Sequence, residues 1–280
     1  MTQNIKTELT REDLRQAQKI MLYIMKRIHA VCVEHNIKYW LDYGTLLGAI
    51  RHDGFIPWDD DMDICMMRED YEKFCKIAPE ALGEEFFLQT KSTEPDFCFE
   101  FGKVRLKNTI WMEREWINTP LNYKGIFVDI FPIESFPESK LQTSFLTYSA
   151  IFYNILLARK AHNIHSKKII KEIVLRILSA FTTRKILLGW FEKTVKNLKK
   201  LKNTSSKVSK LFGTSMTNWT DKATLEEVVL KKFEDSEFFI PKNYDARLTE
   251  IFGNYMQLPP ENKQYGHHNV EYFDFGKYKF

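Results

Sequence analysis

Residues 59–66 read Asp-Asp-Asp-Met-Asp-Ile-Cys-Met, an acidic run that passes directly into an apolar one. From Asp61 onward the residues alternate: Asp61 and Asp63 fall on one side, and Met62 and Ile64 fall on the other. This period of two is typical of a strand with one buried face. The pattern therefore predicts a strand that buries its apolar side and directs two carboxylates into an open site.

The acidic run is electrostatically unfavourable without compensation. Two carboxylates about 4 Å apart repel by roughly 4 kcal/mol at the effective dielectric near a protein surface. The cluster therefore requires a cation, strong solvation or raised pKa values, and paired carboxylates suit a hard cation such as Mg²⁺. A solvated acidic turn and a calcium loop of the EF-hand type are the alternatives. The calcium loop lacks its Gly, replaced by Ile64, and its final Glu, replaced by Asp70.

A Gly-Thr turn precedes the acidic run. Residues 42–48 read Asp-Tyr-Gly-Thr-Leu-Leu-Gly, and 42–45 are predicted to form a turn between a short strand and a short helix that begins at Leu46. Gly44 allows the backbone to approach a ligand closely, and Thr45 with the helix N-terminal amides can hold phosphate oxygens. Alone, the turn is equally consistent with ordinary structure. Arg51 lies between the two features and is expected either to neutralise a phosphate or to form a surface salt bridge.

A third carboxylate is expected from a second strand, residues 125–132, which read Gly-Ile-Phe-Val-Asp-Ile-Phe-Pro. An ionised aspartate in so apolar a strand is costly unless it is paired or bound to a metal. Asp129 is therefore expected to bridge the metal or to accept a proton from an attacking hydroxyl, with a structural ion pair as the alternative. Lys103 and Arg105 share a face of another predicted strand and are expected to contact phosphates or to form ion pairs.

The remaining pattern predicts an α+β protein, because a long helix precedes several short strands. The predicted organisation is a catalytic core over residues 1–139, a basic amphipathic helical insertion over 140–212 and a C-terminal segment over 213–280 that completes the site. Helices are predicted at 11–34, 69–78 and within 140–202, and strands at 37–41, 61–66, 86–89, 98–106, 109–113 and 126–131.

Composition and the N-terminal sequence indicate a cytoplasmic protein. Residues 1–15 lack the apolar core of a secretory signal, and the most apolar stretch, 145–158, is too polar and short to span a bilayer. The four cysteines show no CxxC spacing, which is typical of buried free thiols in a reducing compartment.

Charge is distributed unevenly along the chain. Residues 159–210 hold fifteen Lys and Arg against two acids, a net charge of +13, so the rest of the chain carries −9. With its apolar stripe, this segment is expected to contact an anionic membrane surface, and a packed helical layer with a solvated basic face is the alternative. Nucleic-acid binding would also use such charge, but no recognised binding motif supports it, so no nucleic-acid partner is expected.

The motifs together resemble those of a known family. Residues 43–51, Tyr-Gly-Thr-Leu-Leu-Gly-Ala-Ile-Arg, and residues 54–64, Gly-Phe-Ile-Pro-Trp-Asp-Asp-Asp-Met-Asp-Ile, closely resemble the signature of the LicD family of phosphotransferases, which includes the fukutin-related enzymes. The stretch Val-Asp-Ile-Phe-Pro at 128–132 stands where that family has its next motif, and 258–267 is similar to the family's tail more loosely.

The resemblance implies a nucleotidyltransferase-type fold, in which a mixed sheet is flanked by helices. It places Gly44-Thr45, the pair Asp61 and Asp63, and Asp129 at the three motif positions of that fold. Thr45 departs from the Gly or Ser of the wider fold in a way that this family commonly shows. The implied reaction moves phosphocholine, or a related phospho-alcohol, from a CDP-linked donor such as CDP-choline to a hydroxyl of a lipopolysaccharide or teichoic acid glycan.

The implied mechanism uses two Mg²⁺ ions, or Mn²⁺, held by Asp61, Asp63 and Asp129. These ions would bind the donor pyrophosphate and offset the charge on the departing CMP. The acceptor glycan is expected to be lipid-linked, with the enzyme peripheral on the inner face of the plasma membrane.

Other residues are expected to complete the site. Asp59 and Asp60 are expected to position metal-bound waters or, with Trp58, to bind the choline cation, because an aromatic face suits a quaternary ammonium. From the tail, His267 or His268 is expected to approach the site, with a surface pair as the alternative.

Two rival functions remain at this point. One is a glycosyltransferase with an Asp-x-Asp metal site, which would normally place a Rossmann-like half before that motif. Only about sixty residues precede Asp61, and they predict one long helix and one short strand. The other rival is a non-catalytic protein that binds a nucleotide or a glycan.

Overall fold

The computed structural model describes residues 5–97, 99–114, 117, 119–162, 169–211, 220–266 and 268–280. Within them the chain forms helices around a mixed sheet, so the prediction of an α+β protein is confirmed. The helices are α1 (Arg11–Glu34), α2 (Tyr43–Arg51), α3 (Arg68–Ala81), α4 (Lys140–His162), α5 (Ile169–Phe181), α6 (Arg184–Lys199), α7 (Lys222–Glu226) and α8 (Tyr244–Phe252). The strands are β1 (Trp40–Leu41), β2 (Asp63–Met67), β3 (Phe86–Gln89), β4 (Gly102–Leu106), β5 (Ile110–Glu113), β6 (Phe127–Ser135), β7 (Lys207–Lys210), β8 (Thr220–Asp221), β9 (Val228–Phe233), β10 (Ser236–Pro241) and β11 (Val270–Asp274).

The first helix, α1, has the bounds that the sequence predicts. Thr10 caps it, because its hydroxyl accepts the Asp13 backbone N–H while the Asp13 carboxylate accepts the Thr10 N–H, a reciprocal capping box. Five apolar residues at three- and four-residue steps are fully buried, and α1 therefore forms one wall of the core; they are Ala17, Met21, Ile24, Ile28 and Val31.

The central sheet has the order β1-β2-β6-β4-β3. Strands β2 and β6 run parallel, whereas β1 with β2, β4 with β6 and β3 with β4 are antiparallel. Strand β7 pairs with the second half of β6, and β8 extends the sheet beyond β7. In the parallel pair Asp63 lies opposite Asp129, so two of the predicted metal ligands are neighbours across the strands.

The two faces of this sheet have different characters. Ile64 and Met66 of β2, with Val128 and Ile130 of β6, point into the main core beneath α1 and α3. Because side chains alternate along a strand, Asp63 and Asp129 belong to the other face. The core therefore holds the two strands in place while their carboxylates face away from it.

Several boundaries differ from the prediction: among the described residues, the strands predicted at 37–41 and 98–106, for example, form only at Trp40–Leu41 and Gly102–Leu106. Two of the differences bear on the site. Strand β2 begins at Asp63, so Asp61 lies in the segment just before it. Helix α2 begins at Tyr43, because Asp42 accepts the Tyr43 N–H at 3.0 Å and caps the helix three residues earlier than the apolar pattern indicates. Gly44 and Thr45 therefore lie in the first helical turn.

The predicted helical stretch is three helices, α4, α5 and α6, packed around an apolar cluster of their own. Tyr153, Leu187 and Leu198 are buried in it. None of the helices in the described parts of the chain is long and apolar enough to cross a membrane. The division into three domains stays a prediction. Cys32, Cys65 and Cys75 are free thiols, and Cys98 lies outside the described residues.

Candidate active site

The N-terminus of α2 is anchored by a buried ion pair. Asp42 is fully buried, and Arg247 of α8 donates to its two carboxylate oxygens at 3.0 and 2.8 Å. Burial opposes ionisation, but the charge and hydrogen bonds of Arg247 lower the pKa of Asp42. Tyr43 follows with a φ of 50°, in the left-handed region that non-glycine residues rarely adopt. The start of the Gly-Thr motif is therefore fixed by α8, a helix that sequence reasoning did not connect to it.

Gly44 and Thr45 bring α2 close to Asp59 and Asp63. A Cβ on Gly44 would lie 2.9 Å from a carboxylate oxygen of Asp59, so the absence of a side chain lets Asp59 approach the helix. The Thr45 hydroxyl accepts the Asp63 backbone N–H at 2.8 Å and is buried. The motif thus joins α2 to the acidic run and to the first residue of β2. Contacts of Gly44 and Thr45 with a phosphate stay a prediction.

The acidic run folds into one cluster. Asp59, Asp60 and Asp61 each place a carboxylate oxygen within 4.8 Å of the others. Asp59 and Asp60 are 6% and 2% exposed, so they are not the solvated turn that was one alternative. Asp63 is the next residue of the site along the chain, and it lies opposite Asp129.

Burial and mutual repulsion raise the proton affinity of this cluster. Burial first, and then the charges of Asp61 and Asp60, raise the pKa of Asp59 to about 8. Burial and the charges of Asp61 and Asp129 raise the pKa of Asp63 well above its usual value. A divalent cation would offset this repulsion, and carboxylate oxygens are the donors that Mg²⁺ and Mn²⁺ accept. The residues present therefore fit such an ion.

Asp129 is paired with a lysine. The Lys103 ammonium lies 2.7 Å from one Asp129 carboxylate oxygen and 3.0 Å from the other, and both side chains are buried. The same ammonium lies 3.4 Å from the centre of the Phe127 ring. The ion pair expected as an alternative for Asp129 is thus present, beside the carboxylate of Asp63.

Arg105 is engaged inside the core. Its guanidinium donates to the Gln89 side chain and to the Gly125 carbonyl, each at 2.6 Å, and it is buried. These bonds join β4 to β3 and to the start of β6. Two of its guanidinium nitrogens are therefore engaged within the fold, and a phosphate contact by Arg105 stays a prediction.

Arg51 and Trp58 are also tied to the surrounding structure. Arg51 donates to the Tyr255 carbonyl at 2.9 Å, so the salt bridge expected as its alternative is replaced by a hydrogen bond to the backbone. Trp58 packs partly buried against the main core, with its ring edge-to-face with His52. Their roles in binding substrate stay predictions.

The tail reaches the acidic cluster through His268. Its ring Nδ1 lies 3.1 Å from Asp60, its backbone N–H donates to the same carboxylate at 3.0 Å, and Asp61 is 3.8 Å away. Burial opposes protonation, but the hydrogen bond to Asp60 and the neighbouring acids raise the pKa of His268 to about 10. A side chain at Gly266 would overlap Asp60, so the tail can lie this close. His267 lies outside the described residues.

Lys210 is a second cation of the site that the sequence did not single out. It ends β7, and its ammonium lies 4.2 Å from the centre of the Phe131 ring and 4.8 Å from that of Tyr43. Its charge acts on Asp63, where it opposes the rise in pKa. In the sequence Lys210 is one of fifteen Lys and Arg within residues 159–210, and the pairing of β7 with β6 brings it to the site.

The fold and the site define a class of protein. A Gly-Thr turn at a helix N-terminus, with aspartates before and on one strand and a further aspartate on the neighbouring parallel strand, is the arrangement of a nucleotidyltransferase-type fold. Residues 36–154 match the family model described as "LicD/FKTN/FKRP, nucleotidyltransferase domain". These residues are therefore similar to a LicD-family nucleotidyltransferase domain, and the resemblance predicted from the motifs is confirmed.

Curated relatives extend this similarity over the rest of the chain. The chain is 29% identical to the "Lipopolysaccharide cholinephosphotransferase LicD" of Haemophilus influenzae over 261 residues, which are 92% of this chain and 97% of that protein. It is 33% identical to the "Ribitol 5-phosphate transferase FKRP" of Homo sapiens over 88 residues, 30% of this chain and 17% of that protein. Both names describe phosphotransferases, which supports an enzyme of that class.

Proposed function

We propose that this protein is a metal-dependent phosphotransferase that moves phosphocholine, or a related phospho-alcohol, from a CDP-linked donor to a hydroxyl of a cell-surface glycan. Lipopolysaccharide and teichoic acid are the glycan classes proposed. One observation carries this proposal: the family motifs gather five aspartates around the α2 N-terminus and the β2–β6 pair. The similarity to a cholinephosphotransferase over 92% of the chain favours phosphocholine over other groups.

The residues proposed to hold Mg²⁺, or Mn²⁺ in its place, are Asp61, Asp63 and Asp129. Asp59 and Asp60 lie close enough to Asp61 to bind directly or through water. When bound, such ions polarise the transferred phosphoryl group and offset the charge on departing CMP.

Asp129 is proposed to accept the proton of the acceptor hydroxyl. The acceptor oxygen bonds to the donor phosphorus, the bond from phosphorus to the CMP oxygen breaks with its electron pair on CMP, and the hydroxyl proton passes to Asp129. The ion pair with Lys103 orients the carboxylate between β4 and β2 for this transfer.

Positive groups on both sides of the acidic cluster are proposed to bind phosphate oxygens. Lys210 is the most direct candidate, because its ammonium rests on aromatic rings beside Asp63. His268 is proposed to orient Asp60 through its two hydrogen bonds. Recognition of the choline cation is proposed for Trp58 with the neighbouring acids.

The experiment that tests this function is a screen of the purified chain with CDP-choline, CDP-ethanolamine, CDP-glycerol and CDP-ribitol, following CMP release with Mg²⁺ and a glycan acceptor. We expect CMP release from CDP-choline that stops in EDTA. Asp61→Asn and Asp63→Asn should abolish it, whereas the matched control Asp235→Asn, an exposed carboxylate paired with Lys26, should not. Tight Mg²⁺-dependent binding of UDP-sugars and no binding of CDP-alcohols would instead support the rival glycosyltransferase.

The proposed location is the cytoplasm, with the protein peripheral on the inner face of the plasma membrane. A glycan acceptor that is still attached to its lipid would be reached there. No nucleic-acid partner is proposed.

A further inference from the structure

Helix α4 carries an apolar stripe that faces solvent. Leu141, Phe145, Tyr148 and Phe152 recur at steps of four, three and four residues, so they lie on one face of the helix. Leu141 is 82% exposed, Phe145 73%, Tyr148 72% and Phe152 44%. Four large side chains in one exposed row form a contiguous apolar patch, which is uncommon on a soluble surface and marks an interaction site.

Packing of the helix does not require this stripe. The opposite side of α4 provides Ala150, Tyr153, Leu156 and Leu157 to the buried cluster of the helical layer. The Tyr153 ring stacks on Trp190 of α6, with ring centroids 5.2 Å apart. Helix α4 is therefore apolar on two sides. Among the described residues, packing of the helical layer accounts for the side that carries Tyr153 and leaves the stripe uncovered.

A groove continues the stripe toward α6. Leu141 and Phe145 line it together with Trp190 and Lys193, and its volume is about 750 Å³. Phe181, at the end of α5, is 81% exposed and adds to the apolar surface of the same helical layer.

A basic side chain, Lys193, borders the groove, and α6 exposes further lysines. Lys185, Lys193 and Lys196 of α6 are exposed, and Glu192 is the acidic residue of that helix. The segment to which they belong has a net charge of +13. An apolar stripe beside a lysine-bearing helix matches a bilayer with anionic headgroups, where apolar groups enter the acyl boundary and lysines are attracted to the charged surface.

The positive charge also argues against a second copy of this chain as the partner that covers the apolar stripe. A two-fold dimer would place the same patch of both subunits face to face. Each patch lies beside α6, whose exposed lysines include Lys193 at the groove, so like charges would face each other across the interface.

We propose that the face formed by Leu141, Phe145, Tyr148 and Phe152, with the lysines of α6, docks on an anionic phospholipid surface. This inference deepens the proposed function and rests on it for the lipid-linked acceptor. Pro137 lines the groove and stands eight residues after Asp129, so the chain between them spans at most about 29 Å. A glycan anchored in the bilayer thus needs to project only a comparable distance to reach the carboxylates.

The test is co-sedimentation of the full chain with vesicles of phosphatidylglycerol and phosphatidylcholine, compared with vesicles of phosphatidylcholine alone. We expect binding to the anionic vesicles that weakens as salt is raised. The variant Leu141→Gln/Phe145→Gln/Tyr148→Gln should bind at least about tenfold more weakly, because it loses the apolar contacts. The control Val33→Gln/Met256→Gln, which removes two exposed apolar side chains elsewhere, should bind as the wild type does.

Two further measurements separate the outcomes. Circular dichroism of the triple variant should match that of the wild type, because the altered side chains are exposed. CMP release with a water-soluble glycan acceptor should be unchanged in it, so loss of membrane binding and failure of the proposed reaction are distinguishable. Wild-type protein that ignores anionic vesicles, or a triple variant that still binds them, would overturn the proposal. A wild-type dimer that the triple variant converts to monomer would assign the face to a second copy instead.

Discussion

Lys103 and Asp129 lie directly opposite each other on the antiparallel strands β4 and β6, and their charged groups are 2.7 Å apart in a buried environment. On its other side Asp129 faces Asp63 across the parallel pairing of β6 with β2. The Asp129 carboxylate therefore lies between the Lys103 ammonium and a site suited to a metal ion. Asp129 can therefore stabilise the sheet through its ion pair with Lys103 and also take part in the proposed reaction.

Removing the lysine should destabilise the fold. Lys103→Met leaves the Asp129 carboxylate buried without its cation, and breaking a buried pair in this way costs about 3–5 kcal/mol. Urea unfolding measures the change in the free energy of unfolding. The double variant Lys103→Met/Asp129→Asn should recover part of the loss, because no unpaired charge remains. If the single variant unfolds at the wild-type urea concentration, the pair does not stabilise the protein.

Replacing Asp63 should separate activity from stability. Asp63→Asn removes a proposed metal ligand, and we expect CMP release to fall by at least about a hundredfold, as for the loss of groups that hold a metal. In EDTA the same variant should unfold at a higher temperature than the wild type, because it removes one buried charge from the acidic cluster. Lower stability in EDTA would contradict the repulsion inferred for this cluster.

The stability of the metal-free protein should depend on pH through Asp59. Its pKa is raised from 3.8 to about 8, so its protonation contributes stability that is full below 3.8 and is lost as the pH rises through about 8. Calorimetry in EDTA should therefore show a lower unfolding temperature at about pH 9 than at about pH 6. Asp59→Asn should reduce this difference, and Mg²⁺ should raise the unfolding temperature most at the higher pH. A wild-type profile that stays flat in EDTA would be inconsistent with the buried cluster.

Lys210 should affect catalysis more than folding. Lys210→Gln removes a charge-assisted contact worth about 1.5–3 kcal/mol, so we expect kcat/KM for CDP-choline to fall about ten- to a hundredfold. Lys210→Arg should restore part of the activity, because it retains the charge. Lys207→Gln, on the same strand but pointing toward Glu138, is the matched control and should keep wild-type activity. Equal effects of the two Gln variants would remove Lys210 from the proposed site.

The sequence predicted correctly those helices and strands whose bounds depend on neighbouring residues. The bounds of α1 and β3 agree with the prediction, because apolar periodicity, the Thr10 cap and short β-rich runs are all read from neighbouring residues. Helix α2 starts earlier than predicted, since the Asp42 cap is a side-chain bond that periodicity does not record.

The candidate site is less visible in the sequence, because much of it is assembled from distant segments. The acidic run and Asp129 stand out as charges in apolar surroundings. Arg247 and Lys210 do not, because each is an ordinary basic residue until α8 and β7 bring it beside a carboxylate. Sequence reasoning also expected the strand to begin at Asp61, whereas Asp59, Asp60 and Asp61 turn toward one another before β2 begins.

The contact between His268 and Asp60 also has a consequence for synthesis. These residues are 208 positions apart, so a ribosome completes the acidic run long before it makes the histidine that neutralises it. During that interval the growing polypeptide carries several carboxylates without their downstream partner, and the same is true of Asp42 before Arg247 is added. The candidate active centre therefore cannot be completed before Arg247 and His268 have been translated.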